Sequence, residues 1–298
     1  MTETVEQIAQ RCGVVAETGH TMAEFTTIGV GGPVAAVLRP SSIVTMGRLL
    51  AELRKAGHHP RVIGGGANVI PGTGPFTDPL ILTKGIKHGP LFEGSRVRAG
   101  CGVVVKLLVR KCVDRGLSGL EFAEGIPGTV GGTVYMNAGS YGGQMSDVVR
   151  EVSWFDQEGT LQSREIAPEE FSYRRSPFSP GMVIVEAVFE LTPGDPAQLE
   201  VKLDEVSARR LKSQPPGKRS AGCVFKNPPG DSAGRLIDVS GLKGLAVGGA
   251  SVSMEHGNFI VNRGDATSAD VRRLIDLVKQ KVKEKAGVML EEEVILWD

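Results

Sequence analysis

Apolar residues recur with the 3.6-residue period of an α-helix in four segments of the chain. The clearest segment follows Thr267, which can cap a helix together with Asp270 three residues later. Another follows Ser41 and Ser42, which can also cap a helix, and stops at Gly57. The pattern therefore predicts helices over residues 43–57, 103–115, 198–212 and 267–282.

Short apolar runs between these segments predict β-strands. Between Met182 and Leu191 the apolar residues recur with period two, which is typical of a strand. The predicted strands cover residues 34–38, 61–63, 80–83, 96–99, 148–155, 182–191, 259–261 and 294–297. Strands with interspersed helices indicate an α+β or mixed α/β chain. Linker-like composition occurs at residues 192–196 and 214–217.

One long segment carries no charge at all. The 22 residues between Glu124 and Asp147 include seven glycines, together with polar Thr, Asn, Ser and Gln. This composition makes a poor membrane-spanning helix. Because glycine allows positive φ and close approach of the backbone to a ligand, we interpret the segment as the cradle of a buried cofactor. Tight turns packed beneath a sheet are the alternative.

A second glycine cluster, Gly64-Gly-Gly-Ala-Asn68, directly follows the predicted strand 61–63. Successive backbone N–H groups in such a turn can form a nest for a pyrophosphate. The G-x-G-x-x-G spacing of a Rossmann fold is absent, and we expect residues 69–71 to continue as a loop. A simple turn is the alternative, but together the two clusters predict two walls of one cofactor site.

Composition narrows the class of ligand. The 298 residues carry 34 Lys plus Arg against 34 Asp plus Glu, so no overall field favours nucleic acid or an anionic membrane, and a small-molecule ligand is expected. Four cysteines without a C-x-x-C pair argue against a zinc site and a disulfide framework, so we expect thiols and no metal. An acidic N-terminus without an apolar region predicts a cytoplasmic protein. We expect a monomer.

Six ordered motifs between residues 64 and 294 resemble those of the UDP-N-acetylenolpyruvoylglucosamine reductases, the flavoenzymes of bacterial peptidoglycan precursor synthesis. The motifs are Gly64-Gly-Gly-Ala-Asn68, Glu121-Phe-Ala-Glu-Gly-Ile-Pro-Gly-Thr-Val-Gly-Gly132, Met136-Asn-Ala-Gly-Ser-Tyr-Gly-Gly143, Tyr173-Arg-Arg-Ser176, Cys223-Val-Phe-Lys-Asn-Pro228 and Leu290-Glu-Glu-Glu-Val294. Their joint occurrence by chance is very improbable.

The resemblance implies an α+β chain with a two-subdomain FAD-binding fold of the vanillyl-alcohol-oxidase/p-cresol-methylhydroxylase type, followed by an α/β substrate-binding domain. The first subdomain would cover residues 1–85, with 289–298 returning to it. The second would cover residues 86–196, and the substrate-binding domain residues 197–288. The short stretch between Gln198 and Ala221 resembles the loopless subtype of the family.

The resemblance also implies a reaction, the NADPH-dependent reduction of UDP-N-acetylglucosamine enolpyruvate to UDP-N-acetylmuramate through FAD. Such a reduction needs a hydride at one alkene carbon, stabilisation of the developing enolate and a proton at the other carbon. Flavin N5 can deliver the hydride after taking it from NADPH, because this chemistry belongs to the cofactor. The protein then supplies position and charge.

Two charged residues match catalytic positions of the family. Arg174 can bond the substrate carboxylate through two parallel N–H groups and stabilise the growing negative charge, although the adjacent Arg175 leaves the register open. Glu293 directly precedes the apolar run 294–296, as the family's motif requires, and can orient or help protonate the enolate. Without the motifs, a surface arginine and a solvated acidic run would be the ordinary interpretations.

Cys223 departs from the family, which usually has serine as the proton donor at this position. A thiol has an ordinary pKa of about 8.5 and is a stronger acid than a hydroxyl, so it can serve the same role. A thiolate cannot donate a proton, and activity should therefore fall on the alkaline side. A small packing cysteine is the alternative.

The resemblance further implies two sets of binding residues. The predicted cofactor-binding residues are Gly64, Gly65, Gly66, Ala67, Asn68, Val69, Gly125, Ile126, Pro127, Gly128, Gly131, Gly132, Asn137, Ala138, Gly139 and Val183. The predicted substrate-binding residues are Tyr141, Tyr173, Lys212, Lys226, Asn227 and His256. For the lysines a solvated amine, and for His256 a cap or core residue, are the alternatives.

Two other functions are compatible with parts of the pattern. Another oxidase or dehydrogenase on the same flavin fold would be favoured by covalent flavin attachment, but neither glycine cluster contains His or Cys. A binding module that has lost catalysis would be favoured by the unusual Cys223. Arg174 and Glu293 are both present, which argues against that loss.

Overall fold

The computed structural model describes residues 3–298. The α-helices are α1 (Val5–Arg11), α2 (Ile43–Lys55), α3 (Val105–Val113), α4 (Val130–Tyr135), α5 (Met145–Val148), α6 (Pro196–Ser213), α7 (Ala233–Val239) and α8 (Ser268–Ala286). The strands are β1 (Ala16–Glu17), β2 (Val37–Leu38), β3 (Arg61–Ile63), β4 (Val69–Pro71), β5 (Leu80–Leu82), β6 (Leu91–Glu93), β7 (Arg96–Gly100), β8 (Leu117–Ser118), β9 (Gly139–Ser140), β10 (Gly143–Gln144), β11 (Val149–Phe155), β12 (Leu161–Glu165), β13 (Val183–Glu190), β14 (Thr192–Pro193), β15 (Arg219–Cys223), β16 (Ala246–Val247), β17 (Ala250–Val252), β18 (Phe259–Asn262) and β19 (Ile295–Trp297).

The four predicted helices are confirmed as α2, α3, α6 and α8, with ends shifted by a few residues. Thr267 caps α8 in the predicted way, because its hydroxyl accepts from the Asp270 N–H at 3.1 Å while the Asp270 carboxylate accepts from the Thr267 N–H. Ser42 caps α2 through the Thr45 N–H. Within residues 3–298, no helix is long and apolar enough to cross a membrane.

The expectation that residues 69–71 continue as a loop is wrong. They form β4, which pairs in parallel with the C-terminal strand β19. A three-residue strand ending in proline carries too little local signal, and its partner lies more than 220 residues away in the chain. The helices α1, α4 and α7 were likewise not predicted, since each is only six or seven residues long.

The chain divides into two compact units, and the first contains the segments up to Thr18, Ala35–Gly65 and Asp78–Arg209. It holds a four-stranded sheet in the order β1-β2-β5-β3 and a five-stranded antiparallel sheet in the order β12-β11-β13-β7-β6. Strand β13 is buried on both faces near its start, since Val183 and Val185 join one hydrophobic cluster while Ile184, which points to the opposite face, joins another. This strand therefore links the two cores of the first unit.

The second unit contains Gly19–Val34, Gly66–Thr77 and Arg210–Asp298. Its main sheet is antiparallel in the order β15-β18-β17-β16. The apolar stripe of α8, which includes Val271, Leu274 and Val278, packs with residues of α7 and of this sheet in one hydrophobic cluster. The three-part division drawn from the sequence stays a prediction, and its first two residues lie outside the described range.

Candidate functional site

In the first unit, the two glycine clusters lie directly against each other. A side chain on Gly64 would clash with the Thr129 hydroxyl, and a Cβ on Gly65 would come within 2.6 Å of the Gly128 Cα. Because real Cβ atoms do not approach other atoms this closely, only glycine fits at these positions. The close packing brings residues 64–65 and 128–129 together as one surface, which we call the cradle.

Among the described residues, no atom lies close to the place that a Cβ would take on Gly128 in the cradle or on Gly132 in α4, although the φ of 134° also favours glycine at position 128. A Cβ on Gly132 would meet its nearest atom, the Thr129 hydroxyl, only at 4.0 Å, and one on Gly128 would meet Thr133 at 3.8 Å. Glycine inside a helix such as α4 is less favourable than alanine by about 1 kcal/mol. The neighbouring Gly131 differs, since its Cβ would come within 2.8 Å of the Cys101 Cβ. The space beside Gly132 therefore suits a ligand that approaches the backbone closely.

The Thr129 hydroxyl is a polar group that the described part of the chain leaves unsatisfied. Thr129 is only 1% exposed, and its Oγ1 has no hydrogen-bond partner within residues 3–298. An unsatisfied buried hydroxyl costs about 1–3 kcal/mol. Because Oγ1 lies beside Gly64 and Gly132, a polar atom of a bound ligand would satisfy it.

The N–H groups at the start of α4 are committed to the protein. The Val130 N–H donates to the Val103 carbonyl at 2.9 Å, and the Gly131 N–H donates to the Cys101 carbonyl at 3.0 Å. The first turn of this six-residue helix is therefore bonded to the neighbouring 101–103 segment. The cradle offers the Thr129 hydroxyl and close-packed, uncharged backbone rather than these two amides.

Backbone strain outside glycine is confined, among the described residues, to three residues of the first unit. Among residues 3–298, the non-glycine residues with positive φ are Asn137 at 42°, Tyr141 at 51° and Arg174 at 56°. A left-handed conformation costs such residues about 1–3 kcal/mol and persists only where surrounding contacts enforce it. All three lie in the first unit, within or beside the motifs singled out in the sequence. Such clustering of strain is typical of functional sites.

Arg174 occupies a tight turn whose ends pair with each other. Ser172 and Arg175 exchange two backbone hydrogen bonds of 3.0 Å, which leaves Tyr173 and Arg174 at the tip. The partly buried Arg174 guanidinium donates to the Gly139 carbonyl at 2.8 Å and lies 4.9 Å from the Tyr173 ring centroid. Arg175 is exposed. The geometry thus holds the Arg174 guanidinium in a defined position and leaves that of its neighbour exposed.

The other predicted cofactor residues of the first unit occupy different environments. Asn137 is fully buried, and its side-chain amide is bonded to protein groups. Val183 is buried in strand β13, while Ile126 and Ala138 pack partly against a hydrophobic cluster. Gly125 and Pro127 are exposed in the loop before α4. Tyr141, a predicted substrate residue, is exposed at the tip of the β9–β10 hairpin.

In the second unit, Cys223 ends strand β15 and pairs with Phe259 of β18. The register shifts between Ser220 and Cys223, so a bulge alters the direction of the strand just before the cysteine. Gly222 supplies the positive φ of 77° that this bend requires. Cys12, Cys101 and Cys112 are buried, whereas Cys223 is only partly buried. The fold therefore presents the Cys223 thiol at a surface of the unit.

The acidic run at residues 291–293 makes defined contacts, although the Glu291 side chain is 72% exposed. Glu291 forms an ion pair with Lys226, and Glu292 pairs with Lys279 at 2.6 Å. The Glu293 N–H donates to the Val224 carbonyl at 2.8 Å, which ties the residue to the segment directly after Cys223. The second unit thus brings the Cys223 and Glu293 segments together, as the two motifs suggested.

Four predicted cofactor residues, Gly66, Ala67, Asn68 and Val69, lie in the second unit. The Asn68 side chain donates to the Glu293 carbonyl at 3.1 Å, and the Asn68 carbonyl accepts from the Ile295 N–H at 2.9 Å. A Cβ on Gly222 would lie 3.9 Å from the Ala67 carbonyl oxygen. Within this unit, residues 66–69 therefore lie beside the Cys223 and Glu293 segments.

The predicted substrate residues of the second unit are partly engaged by the protein. Asn227 accepts from the Ala233 N–H at 3.1 Å at the start of α7, and Lys212 is exposed in the last turn of α6. The His256 Nδ1 accepts from the Asn258 N–H at 3.1 Å, and burial lowers the pKa of His256, with a further contribution from Lys243. His256 is therefore held neutral with its Nε2 protonated.

Sequence analysis missed residues that support these segments. Thr129 lies inside a quoted motif, but only its burial shows that its hydroxyl lacks a partner. The Asn258 amide bonds both the N–H and the carbonyl of Phe225, at 2.9 and 2.7 Å, and thereby holds the segment after Cys223. An asparagine beside a predicted strand was the only local signal for this role of Asn258.

Across residues 3–298, no group of three His, Cys, Asp or Glu side chains could hold a metal ion.

Comparison with known proteins agrees with the motifs. Residues 214–297 match the family model of the UDP-N-acetylenolpyruvoylglucosamine reductase C-terminal domain, and residues 33–164 match that of an FAD binding domain. A curated UDP-N-acetylenolpyruvoylglucosamine reductase of Rubrobacter xylanophilus is 40% identical over 292 residues, covering 96% of each chain. The corresponding protein of Geobacter metallireducens is 41% identical and covers 92% of this chain and 91% of its own length.

Solved structures lead to the same family. The crystal structure of the UDP-N-acetylenolpyruvylglucosamine reductase from Thermus caldophilus has a TM-score of 0.81 and 36% identity, and covers 96% of this chain and 100% of that one. The BBE-like 1 protein of Physcomitrella patens has a TM-score of 0.51 at 15% identity, over 64% of this chain and 45% of its own, which shows a shared fold alone. The predicted α+β fold with its FAD-binding domain is confirmed. The chain belongs to the UDP-N-acetylenolpyruvoylglucosamine reductase family.

Proposed function

We propose that this protein reduces UDP-N-acetylglucosamine enolpyruvate to UDP-N-acetylmuramate with NADPH as the reductant and FAD as the cofactor, a step of peptidoglycan precursor synthesis. The reaction adds a hydride to one carbon of the enolpyruvyl double bond and a proton to the other, while NADPH becomes NADP⁺. Membership of the reductase family and the FAD binding domain match over residues 33–164 support the proposal.

The cradle fits FAD. The open space beside Gly128 and Gly132 admits a flat ligand close to the backbone, and the buried Thr129 hydroxyl offers that ligand a hydrogen bond. Gly64, Gly65, Gly128, Thr129 and Gly132 would hold the cofactor. When bound, FAD supplies hydride transfer, taking the hydride from NADPH and passing it from N5 to the substrate.

The observation that carries the proposal is the fixed position of the Arg174 guanidinium. Arg174 is held by a strained turn, and its guanidinium bonds the Gly139 carbonyl while remaining partly exposed. A guanidinium fixed in advance can bond a carboxylate with two N–H groups and stabilise the charge that grows as the double bond is reduced. We assign this role to Arg174.

We assign the proton transfer to Cys223. Its thiol would donate a proton to the carbon that carries the enolate charge, and the resulting thiolate would recover a proton from solvent, which its partial exposure allows. Glu293, whose backbone is bonded to Val224 directly after Cys223, would orient the developing enolate. Lys226 and Asn227 would bind the nucleotide, although Glu291 competes for the Lys226 charge.

The proposal is tested by following NADPH consumption by the FAD-loaded protein under anaerobic conditions, with and without UDP-N-acetylglucosamine enolpyruvate. We expect consumption in stoichiometric proportion to the nucleotide and only in its presence. Flavin that is reduced by NADPH but never reoxidised by the nucleotide would mean another substrate. A protein that binds no flavin would overturn the cofactor assignment itself.

A further inference from the structure

The Asn137 side chain is turned into the protein and uses its hydrogen-bonding capacity there. Its Nδ2 donates to the Ser172 carbonyl at 3.0 Å and to Gln144 Oε1 at 3.3 Å, and its Oδ1 accepts from the Ser146 N–H at 3.0 Å. The residue is 0% exposed. An amide with these three contacts serves the protein and not a ligand, so its function must be sought in what it holds.

What Asn137 holds is the Arg174 turn. Three alternate residues, beginning with the last residue of α4, each bond one position of residues 172–176. The Tyr135 carbonyl accepts from the Ser176 hydroxyl at 2.6 Å, Asn137 donates to the Ser172 carbonyl, and the Gly139 carbonyl accepts from Arg174. Of these three contacts, only the one from Asn137 depends on a side chain of the segment after α4.

The turn needs such support because its conformation is unfavourable by itself. Arg174 has a φ of 56° at a position where glycine is the ordinary residue, and the pairing of Ser172 with Arg175 extends over a single residue pair. Asn137 is itself left-handed, at 42°. The Asn137 side chain bonds Ser172, two residues before Arg174, so the position of the turn depends on a neighbouring residue that is itself strained.

We propose that Asn137 is a positioning residue that acts through Arg174. By bonding the Ser172 carbonyl it fixes the turn against the segment that follows α4, and so holds the guanidinium beside Gly139 before substrate binds. This inference rests on the proposed function, since it assigns Arg174 to the developing charge of the substrate. It differs from the sequence prediction, which counted Asn137 among the residues that bind the cofactor.

The test is Asn137→Gly, which permits the left-handed backbone and removes the side-chain donors. Because the substrate-directed arginine would lose its placement, we expect kcat for the enolpyruvyl nucleotide to fall about 10-fold, a loss of about 1.4 kcal/mol of transition-state stabilisation. Flavin content and the rate of flavin reduction by NADPH should stay as in the wild type. In an Arg174→Ala background the same change should cost less than about twofold, because the two residues act as one unit.

Asn262→Gly is the matched control. Asn262 is also a buried asparagine, whose amide bonds the Ile28 carbonyl at 2.9 Å and accepts from the Gly264 and Ala266 N–H groups. We expect it to lower Tm without changing kcat. If Asn137→Gly folds poorly, Asn137→Asp retains the shape and the acceptor toward Ser146 but loses the donors, and the same selective loss of kcat is expected.

Three results would overturn the inference. A lower Tm with unchanged kcat would make Asn137 structural only, and an equal loss in flavin affinity would make it a cofactor residue. An undiminished effect of Asn137→Gly in the Arg174→Ala background would show that it does not act through the arginine. Failure of the proposed function is seen separately, in the absence of turnover by the wild type.

Discussion

The two units of this protein hold their candidate residues in different ways. In the first unit, Asn137, Tyr141 and Arg174 adopt left-handed backbone conformations, and glycines pack against each other around a buried hydroxyl without a partner. In the second unit, the non-glycine residues show no positive φ among residues 19–34, 66–77 and 210–298. There the Cys223 and Glu293 segments are joined by ordinary backbone hydrogen bonds and flanked by ion pairs.

The contrast shows which structural features indicate a functional site when no ligand is bound. The first unit keeps features that lower its own stability, namely strained residues, a helical glycine with open space and an unsatisfied hydroxyl, and these are explained once a ligand is bound. In the second unit the buried side-chain atoms without a partner belong to Ser240 and Arg272, outside the Cys223 and Glu293 segments, so geometry alone distinguishes its candidate groups less clearly. Mutations in the first unit should therefore separate ligand binding from stability.

Replacing Arg174 should have the largest effect. We expect Arg174→Ala to lower kcat roughly 10²- to 10³-fold, the range found when one preorganised donor to a developing anion is removed. Steady-state kinetics with the enolpyruvyl nucleotide measure it. Arg175→Ala is the control, because its side chain is exposed and should leave turnover near the wild-type value. Comparable losses in both variants would mean that the strained turn does not select between the two arginines.

Substitutions of Cys223 test the proton-donor role that we assign to it. We expect Cys223→Ala to slow turnover about 10²-fold, in the range of general-acid loss, with flavin reduction by NADPH unchanged. Cys223→Ser should retain activity, since the hydroxyl occupies the same position. Equal turnover of the wild type and Cys223→Ala would remove the thiol from the mechanism.

The pH dependence of activity is a second test of Cys223 as the proton donor. A proton donor must be protonated, so wild-type activity should fall on the alkaline side, where a donor thiol becomes a thiolate. Burial raises the pKa of Cys101 and of Cys112 to about 12, so these thiols stay protonated through that range. Cys223→Ser should therefore lack the alkaline decline. A decline of the same shape in both proteins would assign it to another group.

A substitution in α4 should have a smaller effect, and it should raise the stability of the protein while weakening cofactor binding. Gly132→Ala should stabilise the flavin-free protein by about 1 kcal/mol through helix propensity, because the added methyl meets no close protein atom. It should also weaken FAD binding by about 10-fold or more, since a close backbone approach is blocked. Thermal unfolding and flavin titration measure the two effects.

Gly131→Ala is the matched control in the same helix. Its methyl would lie within 2.8 Å of the Cys101 Cβ, so the flavin-free protein itself should lose about 1–3 kcal/mol through overpacking. Normal FAD affinity in Gly132→Ala would mean that the open side of α4 does not face the cofactor.

Breaking the ion pair between Glu291 and Lys226 should give the smallest effect. Glu291→Gln removes the carboxylate beside Lys226, so an anionic nucleotide should bind more readily and KM should fall about two- to fivefold, as expected for a partly exposed ion pair. Glu292→Gln breaks the neighbouring pair with Lys279 and should leave KM unchanged. A common shift in both variants would indicate a general charge effect, without a role for Lys226.

Much of the candidate site could be predicted because its residues carry strong local signals. Glycine clusters, an uncharged run and the ordered motifs around Arg174, Cys223 and Glu293 are all read within short windows of sequence. The long helices α2 and α8 were predicted for the same reason, since apolar period and caps are local properties. By contrast, β4 and α4 are short, and their existence depends on partners distant in the chain.

The sequence by itself determined the family, the fold class and which residues are candidates, because these follow from residue types and spacing. Only the tertiary structure decided how they are used. Contacts across the chain left the Thr129 hydroxyl without a partner, paired Glu291 with Lys226, and bonded Asn68 to Glu293 over 225 residues. They also turned Asn137 into the protein, toward the Arg174 turn. Such partners are set by packing between distant segments, which no local pattern of residues records.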